Sequence, residues 1–384
     1  MRFEFATAGR IIFGPGTIRE AGPAASSMGK RALLITGASL ERARQLIEGL
    51  EAEKVSVSTF QVEGEPDTER VSQALEAARS QGSQVIIGFG GGSALDTGKA
   101  VAALVRNPGE MLDYLEVIGR GKAITTAPLP YIAIPTTAGT GTEVTRNAVI
   151  GSPEQHVKVS LRSPLMLPRL ALVDPELTYD LPADITASTG LDALTQLIEP
   201  FVSVKANPIS DALAREGISC AAQALPALHR EPRNRNAREK MALASLLGGL
   251  AMANATLGGV HGFAGPLGGM FPIPHGVVCA RLLPFVMETN LSALEERQAD
   301  SPILERYREI GSLLTGDEKA RAIDGVRWVR NLVDMLDIPY LNEYGVTQEH
   351  FLELVEKSAR ASSMKGNPIQ LTQEEMQGIL QRAL

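Results

Sequence analysis

Val85-Ile86-Ile87-Gly88-Phe89-Gly90-Gly91-Gly92-Ser93-Ala94-Leu95-Asp96-Thr97-Gly98-Lys99 is the stretch on which the reading of the fold turns. Its apolar start lacks polar alternation, which indicates a strand buried on both faces. Three glycines then lead into a helical run. Consecutive glycines let the backbone come close to a ligand, and a helix N-terminus offers free N–H groups and a positive dipole end. The expected guest is a pyrophosphate. The pattern is neither G-x-G-x-x-G nor a Walker A loop. A glycine turn that only packs helix on sheet would have the same composition.

Outward from this stretch the pattern repeats. Ala32–Ile35 and Tyr131–Ile134 are further short apolar runs, and Leu40–Glu53 and Thr68–Gln81 have helical spacing. Strands alternating with amphipathic helices predict βαβ units and a parallel sheet. Arg10–Gly16 reads as a strand and tight turn. Beyond Leu170–Pro175 the strand signal stops, and from Ala183 onward one helix follows another. The expectation is an α/β dinucleotide-binding domain over 1–182 and an all-helical metal and substrate domain over 183–384, with a ligand cleft between them.

The composition narrows the function. A chain of 384 residues with 44% hydrophobic content can form a normal core. Its net charge of −7 argues against a nucleic-acid partner. Cys220 and Cys279, the only two cysteines, cannot make a disulfide framework, and with no secretory signal over Met1–Phe5 they fit a reducing cytoplasm. No Asp, Glu, Lys or Arg falls between Lys240 and Arg281. The stretch Met241–Val260 is long enough to span a bilayer, but its Ala, Gly and Asn254 favour a helix buried in the protein, and no membrane partner is expected.

Two further groups carry chemistry. Ile134-Pro135-Thr136-Thr137-Ala138-Gly139-Thr140-Gly141-Thr142-Glu143-Val144-Thr145 is a second small-residue loop after a buried strand, suited to sugar and phosphate oxygens. In the second half, Asp192 and Gln196 are i and i+4 on one helix face. His261 and His275 are the two histidines, of five, in uncharged surroundings, whereas His156, His229 and His350 read as surface. A carboxylate and two imidazoles can bind Zn²⁺ or Fe²⁺ and leave a position for a substrate oxygen. Hydrogen-bonded core histidines would give the same pattern.

Together these residues resemble the iron-containing (group III) alcohol dehydrogenase family over nearly the whole chain. The resemblance lies in Phe13–Gly16, Gly90–Ser93 with Asp96 and Lys99, Pro135–Gly141, Asp174-Pro175, Gly190–Thr195, His261-Gly262, Pro266–Gly269 and Pro274–Gly276. It implies a dehydroquinate synthase-like architecture, with metal and nicotinamide meeting in the cleft. Gly91, Gly92 and Ser93 would hold the pyrophosphate, Thr136 and Thr137 would follow the ribose and nicotinamide, and Lys158 would reach the cofactor. Asp192, His261 and His275 match three of the family's four metal ligands.

Three positions depart from the family. Gln196 replaces a ligand histidine, Gly265 replaces a histidine near the nicotinamide, and Ile35–Ser39 lacks the acid that takes the adenosine ribose. The expected metal is therefore one divalent Zn²⁺, Fe²⁺ or Ni²⁺, with Gln196 as fourth ligand or outer partner. NADP is expected to be tolerated beside NAD, with Ser39 and Arg42 as donors, and Gly265 implies either a substrate bulkier than ethanol or a gap that a neighbouring side chain fills. The implied reaction interconverts an alcohol and an aldehyde or ketone, with Thr145 as a hydroxyl on the proton path. The rival readings are a dehydroquinate synthase-like lyase and a non-catalytic nucleotide-binding protein. A homodimer or larger homo-oligomer is expected, with Phe3–Phe13 as an edge strand pairing across a twofold.

Overall fold

The computed structural model describes residues 2–116, 118–155 and 157–384. The reading of His156 as surface thus lies outside the described residues. The chain divides into two compact units, one spanning Ala6–Tyr179 and the other Asp180–Leu384 with the first residues through Phe5.

The first unit is built on six parallel strands: β1 (Ile11–Phe13), β2 (Arg31–Thr36), β3 (Ser56–Gln61), β4 (Val85–Gly90), β5 (Tyr131–Pro135) and β8 (Leu170–Val173), in the order β1-β8-β5-β4-β2-β3. The central strands are the continuous apolar runs, because both of their faces are covered. Successive residues leave each strand on opposite sides. Leu33, Ile35 and Ile86 enter one core with Val71, Leu75 and Val101, whereas Leu34, Ile87 and Ile132 enter the other with Ala25, Leu46 and Leu50. Helices α1 (Ala21–Met28) and α2 (Arg44–Ala52) thus cover one face, and α3 (Thr68–Ser80) and α4 (Gly92–Leu104) the other. A short α5 (Met111–Tyr114) precedes β5, and β6 (Asn147–Ser152) and β7 (Val157–Arg162) form a separate antiparallel pair.

Strand order reverses between β2 and β4, since the chain runs outward to β3 and returns on the other side of β2. That is the switch point at which open α/β sheets bind ligands. The apolar runs did not reveal β3, whose Ser-Val-Ser-Thr-Phe-Gln sequence is mostly polar and sends one apolar side chain to each core, Val57 to one and Phe60 to the other. The expected strand over Phe3–Phe13 shrinks to Ile11–Phe13, paired with β8 through Ile11↔Ala171 to Phe13↔Val173. Residues 2–10 form no strand; Gly9 N–H is taken up by Pro168 O instead.

The second unit is helical: α6 (Ala183–Val202), α7 (Pro208–Arg230), α8 (Arg235–Ala255), α9 (Gly259–Met270), α10 (His275–Arg297), α11 (Pro302–Thr315), α12 (Ala322–Met335), α13 (Phe351–Arg360) and α14 (Gln373–Ala383). Leu191, Leu194, Ile218 and Leu225 are fully or almost fully buried among the long helices. The uncharged stretch does not run straight. It breaks after Ala255, and α9 leaves α8 at 99°. Thr256 turns this corner at φ +62° and ψ 162°, a positive-φ conformation costly for a β-branched residue. Helix α10 has the length and hydropathy to cross a bilayer, yet 83% of its apolar window is buried inside the fold, as in a core helix.

Candidate active site

In the first unit the two small-residue loops come together at the carboxyl ends of β4 and β5. Gly91 precedes α4 in an extended conformation, and Gly92 opens the helix. A Cβ at Gly92 would stand 2.9 Å from Thr140 Cγ2, and one at Gly91 would lie 3.5 Å from the Thr137 side chain. Thr136 N–H donates to Gly90 O at 2.9 Å. Gly91, Gly92 and Ser93 therefore sit at a helix N-terminus under Thr137 and Thr140, a polar cradle with amides at its floor.

Lys99 locks this arrangement. Its buried ammonium donates to Thr142 O at 2.7 Å, Thr142 Oγ1 at 2.9 Å, Thr145 Oγ1 at 2.9 Å and Asn147 O at 2.8 Å. Asp96, one turn earlier, accepts from Thr142 Oγ1 and from Val149 N–H. Burial lowers Lys99 to about 8, with Asp96 and Glu143 opposing the fall. Thr145 is thus committed to the latch, also donating to Thr142 O at 3.2 Å. Lys158 pairs with Glu65 at 3.3 Å, and Arg42 donates to Leu177 O.

In the second unit three helices converge. Asp192, Gln196 and Glu199 lie on one face of α6, at i, i+4 and i+7. Glu199 grips the start of α9: Oε1 accepts from Val260 N–H at 2.6 Å, and Oε2 lies 2.7 Å from His261 Nδ1. This carboxylate fixes the imidazole so that Nε2 points to Asp192 Oδ1, 3.4 Å away. His275 opens α10, with Nε2 3.7 Å from the same oxygen. Gly276 makes that approach possible, since a Cβ there would stand 2.7 Å from Ser188 O.

Two residues that the sequence pattern does not single out, Glu199 and Cys279, also belong to this cluster. Glu199 follows Asp192 by two turns, and Cys279 follows His275 by one; counting along each helix face was the available signal. Cys279 Sγ lies 3.7 Å from His261 Nε2 and 3.6 Å from His275 Nε2. Donor atoms of Asp192, His261, His275 and Cys279 all fall within 4.8 Å of one another. Of the remaining histidines, His229 is exposed, and His350 is half-buried with its Nδ1 accepting from Thr347 N–H.

The cluster has the chemistry of a cation site. Asp192 Oδ1 and Gln196 Oε1 are buried without hydrogen-bond partners, an arrangement costly unless something positive satisfies them. Burial opposes charge on the imidazoles, but Cys279, Glu199 and Asp192 outweigh it and hold His261 well above its ordinary range. His275 is pushed up to about 9, by Cys279 and Asp192 against burial. Burial would raise Asp192, yet the two histidines bring it below the usual carboxylate range. Without an ion, protons on the imidazoles supply the positive charge; a metal would displace them.

Comparison with known proteins gives a consistent result. Residues 8–175 match the model of "Iron-containing alcohol dehydrogenase", and residues 186–384 match "Fe-containing alcohol dehydrogenase family, C-terminal". Alcohol dehydrogenase 4 of Saccharomyces cerevisiae is 34% identical over 378 residues, covering 97% of this chain and 96% of that protein. The crystal structure of a 1,3-propanediol oxidoreductase superposes with a TM-score of 0.93 at 32% identity, covering 100% of both chains. Sulfoacetaldehyde reductase from Bifidobacterium kashiwanohense, crystallised with NAD⁺, gives 0.87 at 31% identity, covering 100% of this chain and 99% of that one.

Proposed function

The chain belongs to the iron-containing alcohol dehydrogenase family, and from that premise we propose how its own residues carry out metal-dependent interconversion of an alcohol and a carbonyl compound. The observation that carries the assignment is the buried meeting of Asp192, His261 and His275 around two unpartnered acceptor oxygens. These three side chains are the metal ligands, with Gln196 beside them. A divalent cation held there would act as a Lewis acid on the substrate oxygen. NAD or NADP would carry the hydride.

Each remaining task falls to a residue already placed. Gly91, Gly92 and Ser93 bind the pyrophosphate through the α4 N-terminus, and Thr136 and Thr137 line the ribose and nicotinamide side. Thr145 holds the second loop through Lys99, which suits positioning better than proton transfer, and Lys158 serves the cofactor side from β7. Asp192 brings negative charge, and Glu199 holds His261 so that Nε2 stays directed at the cation. His275, the most exposed of the three ligands with 36% of its side chain accessible, marks the side from which substrate arrives.

Two local features set preference. Gly37-Ala38-Ser39 after β2 carries no acid, and a Cβ at Gly37 would meet nothing within 4 Å, so nothing at that position opposes a 2′-phosphate. NADP is therefore accepted and favoured, with Ser39 and Arg42 as donors. A Cβ at Gly265 likewise meets nothing within 4 Å, which leaves room for a substrate larger than ethanol. The enzyme works as a homo-oligomer in the cytoplasm, in keeping with its two unpaired cysteines.

The decisive experiment is elemental analysis of chelator-free protein, with steady-state rates on an alcohol and aldehyde panel using both cofactors. Activity should follow metal content, and kcat/KM should be higher with NADP. Full activity in metal-free protein would refute the ligand assignment, and a large NAD preference would refute the reading of Gly37. Gly265→Leu should leave Tm unchanged while raising KM for bulky alcohols more than for small ones.

A further inference from the structure

The three ligands Asp192, His261 and His275 leave the place of the missing fourth one open. Gln196 stands at the position expected to fill it, but its amide oxygen is a weak donor to Zn²⁺ or Fe²⁺. The structure puts a stronger donor within reach. Cys279, fully buried one turn into α10, aims Sγ into the same space as the two imidazoles. We propose that Cys279, as a thiolate, is the fourth protein ligand of this metal site and biases it toward zinc. The inference rests on the cluster being a metal site at all.

The donor–donor distances support it. Bond lengths of about 2.0–2.1 Å to nitrogen or oxygen and about 2.3 Å to sulfur, set at tetrahedral angles, place N···O edges near 3.4 Å and N···S edges near 3.6 Å. The observed N···O separations are 3.4 and 3.7 Å, and the N···S separations are 3.7 and 3.6 Å. Hydrogen bonding alone accounts for them poorly. His261 Nε2 has one proton at most and faces both Asp192 Oδ1 and Cys279 Sγ, while Asp192 Oδ1 has no hydrogen bond. One cation at the centre satisfies all four groups.

The chemistry balances simply. Sγ gives up its proton to solvent as it takes up the cation, and no oxidant or reductant is involved. A thiolate is a soft donor of the kind found at zinc sites, and it adds to the preference for zinc that a nitrogen-and-oxygen set already has over iron. A substrate oxygen would approach such a cation as an additional contact, which zinc accommodates. Gln196 Oε1 is left as an acceptor at the edge of the site.

Cobalt substitution tests this with a readout independent of turnover. The Co²⁺-loaded enzyme should show visible ligand-field bands together with an intense near-ultraviolet thiolate-to-metal band. That band should persist in Cys220→Ser and Gln196→Ala and vanish in Cys279→Ser, with the visible bands retained. Zn²⁺ affinity of Cys279→Ser should fall by at least the roughly tenfold lost when an outer partner is removed. Visible bands without the near-ultraviolet band in the unmutated enzyme would overturn the thiolate and leave the metal site standing. So would survival of the band in Cys279→Ser. Failure to hold Co²⁺ or Zn²⁺ at all would overturn both. Should Cys279→Ser not fold, the spectra of the unmutated enzyme and Cys220→Ser decide the matter.

Discussion

Glu143 is buried, with Oε2 lacking a partner, and burial raises its carboxyl to about 7 despite its own backbone amide and Lys99. The folded state thus keeps a proton that the unfolded chain gives up near pH 4.5. Its contribution to stability is present below that pH and is lost as pH rises to about 7. At about 1.36 kcal/mol per pH unit the window is worth about 3 kcal/mol at most. Glu143→Gln, neutral throughout, should flatten the fall in Tm measured between these pH values. Glu199→Gln tests a different dependence. With the carboxylate gone from Nδ1, His261 loses its orientation, and metal affinity should drop about 10–100-fold in a chelator competition, with the helical content intact. An unchanged affinity would leave Glu199 with only its cap on α9. These residue-scale facts were partly legible in advance. Asp192, His261 and His275 stood out by type and uncharged surroundings, whereas Glu199 and Cys279 mattered only through the helix faces they share. The Lys99 latch was not legible, because its partners lie 43 to 48 positions away.

Elements place these groups, and close backbone approach does much of the placing. Gly276 lets the start of α10 rest on Ser188 of α6, and the atoms that an added methyl would strike are backbone. Gly276→Ala should cost about 1–3 kcal/mol through overpacking and weaken metal binding, while NADP binding at the glycine loop remains. Titrating each ligand separately checks this, and equal losses would refute it. The strands show what makes an element readable. β2, β4, β5 and β8 announce themselves because both faces are dry. β3 and the β6–β7 pair mix polar and apolar residues and yield no continuous run. Helix α9 was hidden inside one uncharged stretch, since composition there does not record a 99° corner.

For the molecule as a whole, each unit has its own interior and its own proposed ligand. Anything bound only by the folded state raises stability by linkage, about 2.7 kcal/mol at a concentration one hundred times Kd. Scanning calorimetry of chelator-treated protein should therefore show Tm rising on addition of Zn²⁺ and, independently, of NADP. No shift with zinc would contradict the cluster as a metal site. The division into a sheet-based first half and a helical second half was readable because the strand signal ceases after Val173. Of the strand expected over Phe3–Phe13, only Ile11–Phe13 pairs with β8 within one chain. That brevity has an outcome of its own. An open sheet rim invites stray chains to zip onto it; on the β1 side that rim is a ledge three residues long, too short to template a ribbon, whereas the β3 side carries six. Any clumping on heating should therefore begin at the β3 side or with unfolded chain, not at β1.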